Sequence, residues 1–214
     1  MTDNLKATID NLKPGDLKLI DKYRDINVDD GTEWWDCVYE QFKEDMAAIG
    51  VYVDRMYFSG FWSQGDGACF EGYVTDWELF LKSLGHTNPH LITVAKKHWT
   101  FSSKHHGHYY HENCTHFNDE SISLPEGADD NEWAYYNLDA DEELRKAVAL
   151  AQLAQFQGIE RDFADAFKDH MCELYCKLEK EYEYLTSDKA VWETLEANDL
   201  ITRSEEHTSE LQSH

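Results

Sequence analysis

Two short stretches of this chain hold side chains whose types and spacing could do chemistry. The first runs Tyr57-Phe-Ser-Gly-Phe-Trp-Ser-Gln-Gly-Asp-Gly-Ala-Cys-Phe-Glu-Gly72 and sets Trp62, Ser63, Gln64, Asp66 and Glu71 close together. Large rings beside a few hydrogen-bonding groups are the usual composition of a ligand site. The second holds His98, His105, His106, His108, His111, Cys114 and His116 within nineteen residues. Imidazole is a common metal ligand and the side chain that titrates near neutral pH. Acting together, Asp66, Glu71 and His108 could supply acid–base groups, Ser63, Gln64 and Tyr110 could orient a substrate, and a nucleotide could stack on Trp62. The plainer alternative is that Asp66 serves only a turn and the histidines are ordinary sheet residues.

The elements that must position these groups can be read from periodicity. Trp35, Val38, Phe42, Met46 and Ile49 recur at three or four residues, which predicts a helix over about 32–49. Asp30 caps it in this reading, with Glu33 in capping-box spacing, and Gly50 ends it. Strand-favouring residues on either side of Gly65-Asp66-Gly67 predict a hairpin with strands at about 51–62 and 68–75. Trp77–Leu84 reads as a short helix stopped by Gly85. Pro89 fits the start of another over about 89–97, where a strand could also be drawn. Two strands, about 98–105 and 108–117, are expected around Gly107. Alternation would split their histidines between two faces, so His108, His111 and Cys114 could converge on a metal only with a bulge or strand end between them. The acidic, turn-rich segment 118–133 reads as a solvated loop. Helical patterns follow: one capped by Asp139 or Asp141 and holding Leu144, Val148, Ala151 and Leu153, one over about 159–184, and one over about 188–198 capped by Ser187. Cys172 and Cys176, four apart on the long helix, read as helix packing. The predicted fold is α+β, with a small antiparallel sheet of about four strands from two hairpins, packed against an N-terminal helix and C-terminal helices.

Three ordered motifs resemble one group of proteins. They are the run 57–72, the stretch Lys104-His105 with Gly107-His108-Tyr109-Tyr110-His111 and Cys114, and the stretch Leu178-Glu-Lys-Glu-Tyr-Glu-Tyr-Leu-Thr-Ser-Asp188 followed by Ala197-Asn-Asp199. Together they are similar to a widespread phage and bacterial family, some of whose members carry the label "antitoxin of toxin–antitoxin stability system". The resemblance covers about 34–200, and 77–97 departs from its pattern. It implies a binding role that neutralises another factor, with contact residues among Trp62, Ser63, Gln64, Asp66, Glu71, His105, His108, Tyr110 and His111. His106 and His116 lie outside the motifs.

Charge bounds the partners. Nineteen Lys and Arg stand against 43 Asp and Glu, a net charge of −24. Such a surface repels nucleic acid and anionic membranes; it suits a basic protein partner or imitation of nucleic acid, and the plainer alternative is solubility alone. No apolar run is long enough to span a membrane, and the first residues lack a signal-peptide core. The five cysteines lack paired zinc spacing, so free thiols in a reducing cytoplasm are expected. Residues 1–29 read as a polar, loosely attached arm in which Leu17, Ile20 and Tyr23 could form a short amphipathic piece, 30–202 as one domain, and Arg203–His214 as an in-frame sequencing-adapter translation from environmental or bulk sequencing. His207 and His214 are therefore not candidate ligands. The sequence carries no nucleophile elbow, Walker loop or dinucleotide fingerprint, and it names no cofactor. Three readings remain: a neutralising binding protein, a small-ligand or nucleotide site (an enzyme included), and motifs that only hold the sheet together.

Overall fold

The computed structural model describes residues 12–29, 31–119, 122 and 159–201. The expected helix around 144–153, the loop beyond Asp119 other than Ile122, the Asp30 cap and the tail from Thr202 all lie outside these residues. The described elements are α1 (Pro14–Lys22), α2 (Asp36–Ala48), β1 (Val51–Phe58), β2 (Ala68–Val74), α3 (Trp77–Ser83), α4 (Pro89–His98), β3 (Ser102–His105), a 3-10 turn (Glu112–Cys114), β4 (Thr115–Asn118), α5 (Ile159–Leu185) and α6 (Asp188–Ala197). The strands form one antiparallel sheet in the order β1-β2-β3-β4. The fold is α+β, as the sequence pattern predicts.

The chain divides into two compact units, residues 1–38 with 177–214 and residues 39–176. In the second, β1 and β2 pair from Val51↔Val74 to Phe58↔Ala68, with a bulge at Asp54. Phe70 faces one side of the sheet, where it meets Phe42 of α2 and Phe167 of α5 at ring separations of 5.6 and 5.3 Å. Phe167 also touches Phe80 of α3, Phe101 just before β3 and Phe117 of β4. Trp77 donates its indole N–H to the Trp99 carbonyl at 3.0 Å, tying the start of α3 to the end of α4. Asp76 caps α3 by accepting from the Glu78 and Leu79 amides. Glu78 then bridges Lys82 at 2.7 Å and Lys96 of α4 at 2.5 Å, and these ammonium groups draw its carboxyl down to about 2. Ser103 is the buried polar residue of this core among the described residues, and its hydroxyl donates to the Phe70 carbonyl at 2.9 Å.

Several boundaries move. α2 begins at Asp36, so Trp35 sits in the preceding turn, while Val38, Phe42 and Met46 are buried as its stripe requires. β1 ends at Phe58, because Ser59–Gly67 forms a nine-residue loop closed by the Ser59 N–H on the Gly67 carbonyl at 3.1 Å. His98 ends α4 and does not start a strand. The strand expected over 108–117 is instead a loop and a 3-10 turn until Thr115. Gly107 turns the chain at φ +113, and the His111 cap on the 3-10 turn provides local bonding that competes with the ladder.

The first unit also departs from the expected polar arm. Ile20 of α1 is fully buried against Val191, Trp192 and Leu195 of α6. Arg24 pairs with Asp21 and Asp188, and donates to the Thr186 carbonyl at 3.1 Å. Asn27 donates to the Leu185 carbonyl at 2.9 Å and accepts from the Thr194 hydroxyl at 2.8 Å. Ser187 caps α6, as predicted, by accepting from the Ala190 amide. The spacing of Leu17, Ile20 and Tyr23 is a short sequence signal, and Leu12, Leu19, Tyr23 and Ile26 join Ile20 against the core that α6 supplies. Ile20→Ala should cost about 2–5 kcal/mol in urea unfolding and reduce amide protection in α6. A change below about 0.5 kcal/mol would return residues 12–29 to a loose arm.

Candidate functional site

The two motifs meet. Gly65 adopts φ +92, and a side chain there would reach within 3.2 Å of the Tyr109 ring. Gly67 approaches the other loop more closely: a Cβ would lie 2.9 Å from the Tyr110 carbonyl oxygen and 3.1 Å from the His111 Cα. The turn glycines of the first motif are thus the surface on which the second rests. The loop Ser59–Gly67 and the loop His106–Cys114 form one junction at an end of the sheet.

Beside it, three rings pack together. Tyr57 and Tyr110 stack at 5.2 Å with 11° between planes, and His105 lies 5.5 and 5.0 Å from them. Tyr57 pairs with Cys69 across β1 and β2, so both belong to the sheet face opposite Phe70. The Cys69 thiol, fully buried, lies 3.6 Å from His105 Nδ1. Desolvation by burial pushes that thiol up from 9.0 to about 12, helped by the charge of Glu71. Such a group is an inert core thiol and no thiolate nucleophile.

Each predicted site residue has a definite place. Asp66 accepts from the Ser63 amide at 2.6 Å and returns its own N–H to the Ser63 carbonyl at 3.1 Å, so its carboxylate builds the turn. Glu71 accepts from the His105 amide at 3.3 Å. Tyr110 and His105 belong to the ring cluster. His111 caps the 3-10 turn, its Nδ1 3.2 Å from the Asn113 amide and 2.9 Å from Glu112 Oε2. Ser63, Gln64 and His108 are exposed, and His108 sets its ring edge-on to Tyr109. Trp62 is 66% exposed and takes φ +69, a left-handed backbone that a bulky side chain rarely adopts. Tyr109 is 55% exposed.

Reading the sequence for polar chemistry missed Tyr57, Tyr109, Cys69, Gly65 and Gly67. All lie inside the two motifs, where the glycines signal only turn geometry and the rings signal a ligand site without showing which of them pack together. Among the described residues no three of His, Cys, Asp and Glu lie close enough to hold a metal ion. Among the described residues, too, no helix is long and apolar enough to cross a membrane.

Fold and site together define an α+β protein with an aromatic loop junction at the end of a four-stranded antiparallel sheet. Residues 34–188, well over half the chain, match the family described as "Domain of unknown function (DUF8835)", and the chain belongs to that family. No curated protein and no solved structure matches it.

Two measurements test the junction. Gly67→Ala should cost roughly 1–3 kcal/mol, because backbone atoms of the facing loop must move. Gly60→Ala should stay within about 0.5 kcal/mol, since its Cβ would meet the Asp66 carboxylate at an ordinary 3.6 Å. Equal losses in thermal unfolding would refute the close approach. For Cys69, a thiol reagent at pH 8 should modify exposed Cys37 and Cys176 promptly and leave Cys69 unmodified until unfolding. Its folded pKa lies above the unfolded one, so its contribution is complete below 9.0 and should drain away as pH rises toward 12.

Proposed function

We propose that this chain is an acidic binding protein of the antitoxin-like kind its motifs resemble, acting in the cytoplasm of bacterial or phage-infected cells. It neutralises a basic toxin or host-defence protein by holding it on the junction of the two motif loops. The observation that carries this reading is Trp62, which is costly to the free protein in two ways. Its left-handed backbone costs about 1–2 kcal/mol. Its exposure leaves roughly 3 kcal/mol of burial unrealised, for a ring of about 200 Å² at about 25 cal/mol per Å². Both costs make sense where a partner covers the ring, and tryptophan is enriched among residues that dominate protein interfaces. Tyr109 extends the apolar centre, with Ser63, Gln64 and His108 as its polar rim. The charge of −24 steers a basic partner toward the chain and repels nucleic acid.

The small-ligand or enzyme alternative draws less support. Asp66 and Glu71, its acid–base candidates, each accept a backbone amide, and Tyr110, its orienting candidate, stacks on Tyr57.

Trp62→Gly separates the readings. Glycine releases the left-handed strain but loosens the unfolded chain and gives up the Phe61 contact, so stability should change by about 1 kcal/mol or less. Native mass spectrometry of protein purified from a bacterial host should show a stoichiometric basic protein on the wild type and at least a tenfold smaller bound fraction on Trp62→Gly. A partner retained equally by the variant would sink the proposal, as would a wild type carrying only a small-molecule mass.

A further inference from the structure

His106 and His116 fall outside both resembled motifs and outside the junction's contacts. They are exposed, and their rings lie 4.6 Å apart at 70°. β3 and β4 hold this pair in place. Lys104↔His116 and His105↔Thr115 are cross-strand partners, and the His106 amide donates to the Cys114 carbonyl at 2.8 Å, continuing the pairing by one residue. The diagonal neighbours His106 and His116 thus approach over a backbone fixed by hydrogen bonds.

We propose that His106 and His116 form a two-imidazole site for a borderline divalent transition ion, nickel, copper(II) or zinc. The ring separation carries the argument. A metal–nitrogen bond of about 2.0–2.1 Å puts the ion about 3.2 Å from an imidazole centroid. Two rings on one ion then lie about 4.5 Å apart at a 90° angle and about 5.2 Å at a tetrahedral angle. The observed 4.6 Å lies within the span that two rings on one ion cover. Opening by about half an ångström would admit tetrahedral zinc, and exposed rings can make that adjustment. Imidazole disfavours magnesium and calcium, which take oxygen ligands. Two protein donors leave the other positions to water or to a donor from a second molecule, which agrees with the lack of a three-residue metal group among the described residues. Lys104, facing His116 across the ladder, opposes the cation and sets the site's affinity below that of a closed structural centre.

Titration calorimetry of the full chain with nickel chloride should show a site whose affinity falls at least tenfold in His106→Ala and again in His116→Ala, but less than twofold in His108→Ala. Copper(II) bound to the wild type should show spin-resonance splitting from two nitrogens, and splitting from fewer in either single variant. Full affinity in both variants would refute the pair, as would an equal loss in His108→Ala, which would move the site into the loop. Unchanged far-ultraviolet circular dichroism in the variants is expected because both rings are exposed; a collapsed spectrum would show that the pair serves the fold and not an ion.

Discussion

Phe167 is the contact on which the sheet-bearing unit depends. Its ring meets Phe70 of β2, Phe80 of α3, Phe101 before β3 and Phe117 of β4. One side chain of α5 therefore touches both hairpins and the helix between them. The pairing of β2 with β3 is short: Gly72↔Ser103 and Tyr73↔Ser102, with the Val74 N–H on the Phe101 carbonyl at 3.1 Å beyond them. Two residue pairs cannot hold two hairpins in one sheet unaided, because isolated hairpins are marginal in water. The shared aromatic core does it, reinforced by the Ser103 hydroxyl on the Phe70 carbonyl.

What that core fixes on one face, the site uses on the other. Phe70 and Cys69 are adjacent in β2, so a strand that turns Phe70 into the core presents Cys69 to the opposite side. There it meets His105, and His105 meets Tyr57 and Tyr110. Alignment of the hairpins then places both loops at the same end of the sheet, with Gly67 against the Tyr110 and His111 backbone. The carboxylates of Asp66 and Glu71 secure this arrangement through backbone amides. The polar residues that attract attention in the sequence are largely builders, and the exposed rings of Trp62 and Tyr109 are what the building presents.

In the proposed binding role, charge and aromatic exposure would divide the work of recognition. A net charge of −24 acts at a distance, selects the sign of a partner and is screened by salt. The rings act on contact and are indifferent to salt. The proposed binding would then be fast at low salt and anchored by Trp62. The histidine pair at the β3–β4 end lies on the same hairpin, apart from these rings.

The sequence by itself determined the element types and the two motifs. The stripe Val38, Phe42, Met46 is helical whatever surrounds it, the Ser187 cap acts on its own first turn, and the strand residues around Gly65-Asp66-Gly67 pair locally. These features rest on periods and bonds spanning a few residues. Tertiary structure alone decided that Gly65 and Gly67 support Tyr109 and Tyr110, that Cys69 sits under His105, and that Ile20 completes a core with Val191 and Leu195. Those partners lie tens of residues or more apart, so no local period records them. The loop between β3 and β4 shows the same limit: its residues alternate well enough for a strand, but the ladder ends where Gly107 turns the chain and the His111 cap binds it to itself. Periodicity reports which face a residue prefers, and only packing decides what meets that face.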